Sequence, residues 1–499
     1  MLRKIRITLA AIFFVAITWL FLDFTGVAHL WLGWMAKIQF LPALLALNVG
    51  VVFVLLLLTL LVGRVYCSVI CPMGVMQDII SWLHGRMGKK QRIRFGYSKE
   101  KRWLRYGVLG LTVVAWLAGI GSLVALLAPY SSYGRIASNL LAPLYRWGNN
   151  LLALLAEHVD SYAFYTTDVW LKSLPTFIIA LVTFIIIAVL AWRGGRTYCN
   201  TICPVGTVLG LVSRFSIFRP YIDTEMCVGC SLCARKCKAS CIDDKNHRID
   251  YSRCVACMDC LDNCTHGALK FGLRRRKATA DKSAAEAKQT DTARRAFLVS
   301  SATLAVATAV KAQEKKVDGG LAVIEDKQKP ERATPIVPAG AWSAQHFAAH
   351  CTGCQLCVSA CPNGVLRPST DLTKLMQPEM SYERGYCRPE CTRCSSVCPT
   401  GAIKPISVED KSSTRIGHAV WVKKNCIPLT DGVECGNCAR HCPSGAILMI
   451  PSDADNPESV KIPVINTERC IGCGACENLC PARPFSAIYV EGHLQHSTY

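Results

Sequence analysis

The stretches RVYCSVICPMG, residues 64–74, and RTYCNTICPVG, residues 196–206, share their arginine, tyrosine, isoleucine, both cysteines, the proline and the closing glycine. Each follows a long apolar run, and each opens a segment that is apolar at helical spacing, Val75 to Leu83 and Val208 to Phe215. One motif repeated after two hydrophobic runs predicts two parallel helix-pair repeats, each placing a C-x3-C-P turn at the same membrane face.

Around these motifs lie four apolar runs, Ile7 to Phe24, Ile38 to Gly63, Leu104 to Ala128 and Leu174 to Trp192. A bilayer core of about 30 Å needs about 20 apolar residues, so each run is read as a crossing. Lysines and arginines are retained on the cytoplasmic side. They concentrate at Arg3, Lys4 and Arg6, and in the second loop at Arg64, Arg86, Lys89, Lys90, Arg92, Arg94, Lys99, Lys101 and Arg102. Both ends of a four-span unit, residues 1–205, are therefore expected in the cytoplasm. The net charge of +21 is absorbed largely by these loops and by the run Arg274 to Lys277, which leaves no case for a nucleic-acid partner.

Nearly all the cysteines lie after residue 198, and their total of 29 is odd, which argues against a simple disulfide framework. Four groups are spaced C-x2-C-x2-C-x3-C: Cys227, Cys230, Cys233, Cys237; Cys254, Cys257, Cys260, Cys264; Cys351, Cys354, Cys357, Cys361; and Cys470, Cys473, Cys476, Cys480. Two variants, Cys387, Cys391, Cys394, Cys398 and Cys426, Cys435, Cys438, Cys442, complete the set. Three thiolates in one short loop suit three corners of a cubane, and the fourth reaches a neighbouring cluster. Zinc prefers two separated C-x2-C knuckles, so these quartets predict six [4Fe-4S] clusters. In the later module the short, even intervals favour pairing the first group with the second and the third with the fourth, with a nested pairing as the alternative. No C-x-x-C-H occurs, and His29, His84 and His158 leave no pair of axial ligands inside the runs, so no haem is expected.

Residues 223–272, and again about 346–490, resemble bacterial two-cluster ferredoxins. By that resemblance Cys227, Cys230, Cys233 and Cys264 would hold one cluster, and Cys254, Cys257, Cys260 and Cys237 the next. Lys238 and Thr265 stand where proline is usual, and a spare Cys241 competes with Cys237 for the crossing position. Residues 1–272 resemble the NapH/MauN family of quinol dehydrogenase membrane subunits, a plan shared in part with NosR and CcoG. Residues 292–490 resemble the NapG/MauM family of exported ferredoxins, so the chain reads as two partners fused.

A mid-chain stretch, RRAFLVSSATLAVATAVKA at residues 294–312, is similar to a twin-arginine export signal and has polar linkers on both sides. Clusters are inserted in the cytoplasm, and a thiol-rich domain threaded unfolded into an oxidising compartment would form disulfides. An internal signal that exports a folded domain resolves that conflict. Retained as a fifth, short anchor, it would keep donor and acceptor clusters at high effective concentration.

The expected architecture is thus a membrane α-helical unit (1–205) followed by an α+β, bacterial-ferredoxin-like two-cluster domain (206–272). Then come a polar linker (273–292), the signal or anchor (293–312), a second linker (313–345) and a four-cluster domain (346–490). The expected place is the bacterial inner membrane, multi-pass, with the two-cluster domain cytoplasmic and the four-cluster domain periplasmic. The resemblance implies quinol oxidation at the membrane, quinone as the diffusible substrate and a periplasmic reductase or cytochrome as partner. Since no haem bridges the bilayer, a mobile quinone is the natural link. Cys67, Cys71, Cys199 and Cys203 are a candidate metal or redox-thiol site. A metal-handling or maturation factor, for example one reducing copper at these four thiols, is the alternative, and a cytoplasmic electron carrier whose signal is never used is a third.

Overall fold

The computed structural model describes residues 1–86, 95–273 and 325–498. The export-like segment 293–312, with most of the linker before it and residues 313–324 after it, lies outside the described residues, as do Lys89, Lys90, Arg92, Arg94 and Arg274 to Lys277.

Two helices among the described residues are long and apolar enough to cross a membrane, α1 (Leu2–Leu22) and α12 (Leu174–Gly194). Each has 21 residues and is about 30 Å long at 1.5 Å per residue. After α1 come α2 (Val27–Leu32), α3 (Trp34–Lys37), α4 (Phe40–Leu45) and α5 (Val49–Val62). The expected crossing Ile38 to Gly63 is therefore divided: Leu47 takes a left-handed φ of 54°, and the Asn48 side chain accepts from the Val51 amide to start α5 afresh. The expected crossing Leu104 to Ala128 is divided too, into α8 (Arg102–Leu117) and α9 (Gly121–Leu127), with Gly119 at φ 74° between them. Hydropathy does not register a single left-handed residue, and interrupted helices persist at membrane depth where protein covers the freed backbone groups.

The repeated motif folds twice in the same way. Its first half is a short helix, α6 (Val65–Val69) or α13 (Thr197–Thr201). Its proline then starts the next helix, α7 (Pro72–Arg86) or α14 (Pro204–Ser213), where a missing N–H costs nothing. A β-carbon on Gly74 would lie 2.2 Å from the Cys67 carbonyl oxygen, and one on Gly206 would lie 2.3 Å from that of Cys199. Glycine is thus required for the second helix to pack on the first cysteine's backbone. Between the repeats, α10 (Pro129–Ile136), a π-helical turn over Ala137–Leu141 and α11 (Ala142–Glu157) run into the centre of the unit.

Both cysteine-rich modules are α+β, and among the described residues every sheet in them is a two-stranded antiparallel one. In the first, β1 (Phe218–Ile222) pairs with β4 (Leu269–Leu273), and β2 (Ile242–Asp243) with β3 (Arg248–Ile249). In the second, β5 (Leu366–Pro368) pairs with β6 (Pro378–Met380), β7 (Thr414–Trp421) with β10 (Ile488–Thr498), and β8 (Ile447–Pro451) with β9 (Lys461–Ile465). The second module is wider than the expected 346–490. Lys327 Nζ donates to the carbonyls of Glu477, Asn478 and Cys480, Arg332 pairs with Glu477, and β10 runs to Thr498. A polar linker composition concealed these attachments, because they are made by backbone carbonyls and two half-buried cations.

The two modules sit at opposite ends of α1. Arg3, in its first turn, pairs with Asp259 at 2.9 Å in the two-cluster module. Gly26, just past its last turn, packs against the Arg393 guanidinium of the four-cluster module.

Candidate iron–sulfur centres and the four-cysteine site

The ferredoxin loops owe their shape to paired left-handed residues around the second cysteine. Gly229 and Ser231, Ala256 and Met258, Gly353 and Gln355, and Gly472 and Gly474 all have positive φ. These turns fold the C-x2-C-x2-C segment back on itself, so that three sulfurs face one space.

Tertiary contacts supply the fourth sulfur. Cys227, Cys230, Cys233 and Cys264 line one cavity, and Cys254, Cys257 and Cys260 line another together with both Cys237 and Cys241. The Cys237 and Cys241 sulfurs are 3.5 Å apart, so the spare cysteine is a neighbour of the crossing position rather than a remote thiol. In the larger module Cys398 joins Cys351, Cys354 and Cys357, and Cys361 joins Cys387 and Cys394. Cys480 joins Cys426, Cys435 and Cys438, and Cys442 joins Cys470, Cys473 and Cys476. First pairs with second and third with fourth. The Cys387 amide donates to the Cys473 carbonyl at 2.9 Å, which joins the two halves. The centres therefore follow one another in the order Cys354, Cys387, Cys473, Cys438.

These positions suit iron–sulfur clusters chemically. Burial pushes the Cys473 thiol up to about 12 and the Cys438 thiol up to about 11, so a thiolate there needs the positive charge that iron brings. Backbone amides donate to Cys398, Cys442 and Cys480 sulfurs at 3.3–3.4 Å, the kind of bond that tunes cluster potential. Among the described residues no three histidine, cysteine or carboxylate side chains are gathered tightly enough for a single metal ion.

Cys67, Cys71, Cys199 and Cys203, from the two motifs, come together within the helical unit, and each is 4% exposed. Gln77 Nε2 donates to the Cys199 sulfur at 3.2 Å, and the Gly206 amide donates to the Cys203 sulfur at 3.3 Å. Arg196 holds both carboxylate oxygens of Asp78, at 2.9 and 2.8 Å, and the Cys67 carbonyl at 2.6 Å. Asp78 also pairs with Arg6 at 3.0 Å and meets Lys238 at 3.7 Å, and Lys238 pairs with Asp259 at 2.9 Å. The lysine that replaces the usual ferredoxin proline thus fastens the two-cluster module to the motif. Tyr66 and Tyr198 occupy matching places: the Tyr66 hydroxyl donates to Gln39 Oε1 beside α4, and the Tyr198 hydroxyl donates to the Leu127 carbonyl at the end of α9. His84 stacks on Trp192 with ring centroids 4.1 Å apart.

A cavity of about 910 Å3 opens between residues 146–172 and the four-cluster module, with Arg146, Trp170, Lys172, Cys361, Arg384 and Tyr386 on its wall. Burial pushes Lys172 down to about 8, and its ammonium donates to the Val358 carbonyl at 2.9 Å. Sequence reading missed this cavity, because its residues are scattered over two modules and follow no spacing.

Comparison with known proteins agrees with this chemistry. Residues 44–90 and 176–220, which contain the two motifs, match a family described as "4Fe-4S binding domain". Residues 350–402 and 433–483 match one described as "4Fe-4S dicluster domain". The chain belongs to the ferredoxin-type 4Fe-4S proteins and is an iron–sulfur electron-transfer protein. Within that class it is similar to "Ferredoxin-type protein NapH" of Haemophilus influenzae, 27% identical over 47% of this chain and 70% of that protein. It is also similar to "Methylamine utilization ferredoxin-type protein MauN" of Methylobacillus flagellatus, 25% identical over 45% of this chain and 68% of that protein. A short stretch, 14% of the chain, is 40% identical to 83% of "Pyruvate synthase subunit PorD" of Methanothermobacter marburgensis.

Proposed function

We propose that the chain oxidises quinol at its helical unit and passes the electrons outward, through the four-cluster module, to a periplasmic reductase or cytochrome. The observation that carries this reading is the seating of the module. Its first centre rests on the helices, with Asn139 Nδ2 donating to Gln355 Oε1 at 2.8 Å beside Cys354, and the remaining centres lead away from that contact. The cavity at Cys361 lies at the end of α1, where a quinol head group would reach the wall that carries a cluster ligand. Six clusters would be held by the 24 ferredoxin cysteines, which alternate in the wire with no need for bound substrate. Four crossings, two of them interrupted, and the placement of the two modules on opposite sides of the inner membrane complete the proposal, together with export of residues after 312 by the internal signal. Likeness to NapH and MauN supports a membrane setting.

The test uses the anaerobic, detergent-solubilised protein. Adding a reduced menaquinol analogue is expected to bleach the cluster absorbance and to produce EPR signals from the four-cluster module. Clusters that stay oxidised with quinol, although their measured potentials lie above that of the quinol, would overturn the proposal.

A further inference from the structure

We propose that Cys237 and Cys241 are interchangeable fourth ligands of the centre begun by Cys254, Cys257 and Cys260, so that this centre exists in two ligation forms. The inference goes beyond the quinol reading and needs no particular electron donor.

Cys241 shares with Cys237, Cys254, Cys257 and Cys260 the wall of one cavity, which thus carries five sulfurs where a cubane takes four. Its sulfur is 3.5 Å from that of Cys237. A tetrahedral metal–thiolate bond of about 2.3 Å sets two sulfurs on one metal about 3.8 Å apart, so the observed spacing fits two thiols aimed at the same iron. Thiolates on different irons of a cubane stand farther apart. Three sulfides and one thiolate complete that iron, so only one of the two cysteines binds at a time.

Other crossing cysteines have different company. The Cys442 sulfur accepts from the amide of Ala446, four residues on, at 3.3 Å, and meets the Ser444 hydroxyl at 3.6 Å. The Cys398 sulfur accepts from the Ile403 amide at 3.4 Å and meets the Thr400 hydroxyl at 3.6 Å. Four residues after Cys237 comes Cys241, so a side chain able to bind iron takes the chain position that Ala446 holds in the larger module.

Both backbones are held in place, which leaves the exchange to side-chain rotation. The Ser240 amide donates to the Cys237 carbonyl at 3.0 Å, and the Asp250 amide donates to the Cys241 carbonyl at 2.9 Å. Between them, the Lys238 carbonyl accepts from the Arg196 amide at 2.8 Å, and the Ala239 carbonyl accepts from Asn200 Nδ2 at 3.1 Å. In the exchange one iron–sulfur bond forms at Cys241 as the bond at Cys237 breaks, and the Cys241 thiol proton passes to the Cys237 sulfur. No electron moves. Hydrogen bonds to the ligand sulfurs tune a cluster's potential, so the two forms differ in potential.

The experiment compares the full-length protein, purified anaerobically, with Cys237→Ala, Cys241→Ala and the double variant, by iron and acid-labile sulfide per chain and by EPR after dithionite reduction. Each single variant is expected to keep the wild-type iron content, and the double variant to carry about four irons fewer. Cys264→Ala, at a cavity lined by no fifth cysteine, is the control for an unshared ligand and should lose about four irons. The two single variants should give different signals from the shared centre, and the wild-type spectrum should contain both. Loss of about four irons from Cys237→Ala, with Cys241→Ala at full content, would make Cys241 a hydrogen-bonding neighbour only and overturn the proposal. The converse loss would make Cys241 the sole ligand and overturn it equally. So would a double variant that keeps all its iron, or a wild-type spectrum identical to that of one single variant. A single variant that fails to fold counts against the proposal too, because either thiol alone is expected to complete the centre.

Discussion

At the scale of single residues, the motif glycines and the buried arginines carry the sharpest consequences. Gly206→Ala forces a methyl group against the Cys199 backbone, 2.3 Å away, which must move the turn that presents the cysteine. We expect a loss of about 1–3 kcal/mol in stability, the usual range for overpacking, read as a lower detergent-phase melting temperature; an unchanged melting temperature would refute it. Arg196→Ala leaves Asp78 buried with only Arg6 and Lys238 as partners. A cost of about 3 kcal/mol is expected from breaking such a pair. Adding Asp78→Asn should recover part of it, which a double-mutant cycle on chemical unfolding would measure. Asp78 is thereby explained as a structural anchor.

At the scale of elements, the C-terminal strand β10 closes the four-cluster module and carries a titrating group. Burial, with His493 nearby, pushes His496 down to about 4. Its folded value lies below the ordinary 6.5, so between pH 6.5 and 4 the unfolded chain binds a proton that the folded chain does not. The strand should therefore lose stability as pH falls through that window and be indifferent above it. Melting curves between pH 7.5 and 4.5 would show this, and His496→Asn should flatten them over the same range. The interrupted helices behave differently: Gly119→Ala puts a β-carbon on a left-handed residue and should cost about 1 kcal/mol without touching any cysteine.

At the scale of the whole molecule, the clusters are the core. Among the described residues each sheet has only two strands, too few to stand alone in water, and the buried interior of both modules threads cysteines through its alanine, valine, isoleucine and leucine side chains. Iron removal by oxidation and chelation should therefore unfold both modules and leave α1 and α12 helical. Circular dichroism should lose its strand signal first, and limited proteolysis should cut within 351–480. Modules that resist protease without iron would contradict this account.

The cofactor type, the two repeats and the α+β character of the cysteine-rich parts were legible in residue spacing, because a cluster loop needs its sulfurs at fixed intervals and a helix-pair repeat copies its motif. Spacing left the fourth ligands ambiguous. Only the tertiary structure brought Cys398 to the first quartet, Cys480 to the third and Cys241 beside Cys237. It also divided two expected crossings, since one left-handed backbone residue changes no hydropathy. The contacts that seat both modules on the helical unit were invisible in sequence for a related reason: Arg64 and Asn139 look like ordinary polar residues until folding sets them beside Ser252 and Gln355, hundreds of ångströms of extended chain closed to hydrogen-bond distance.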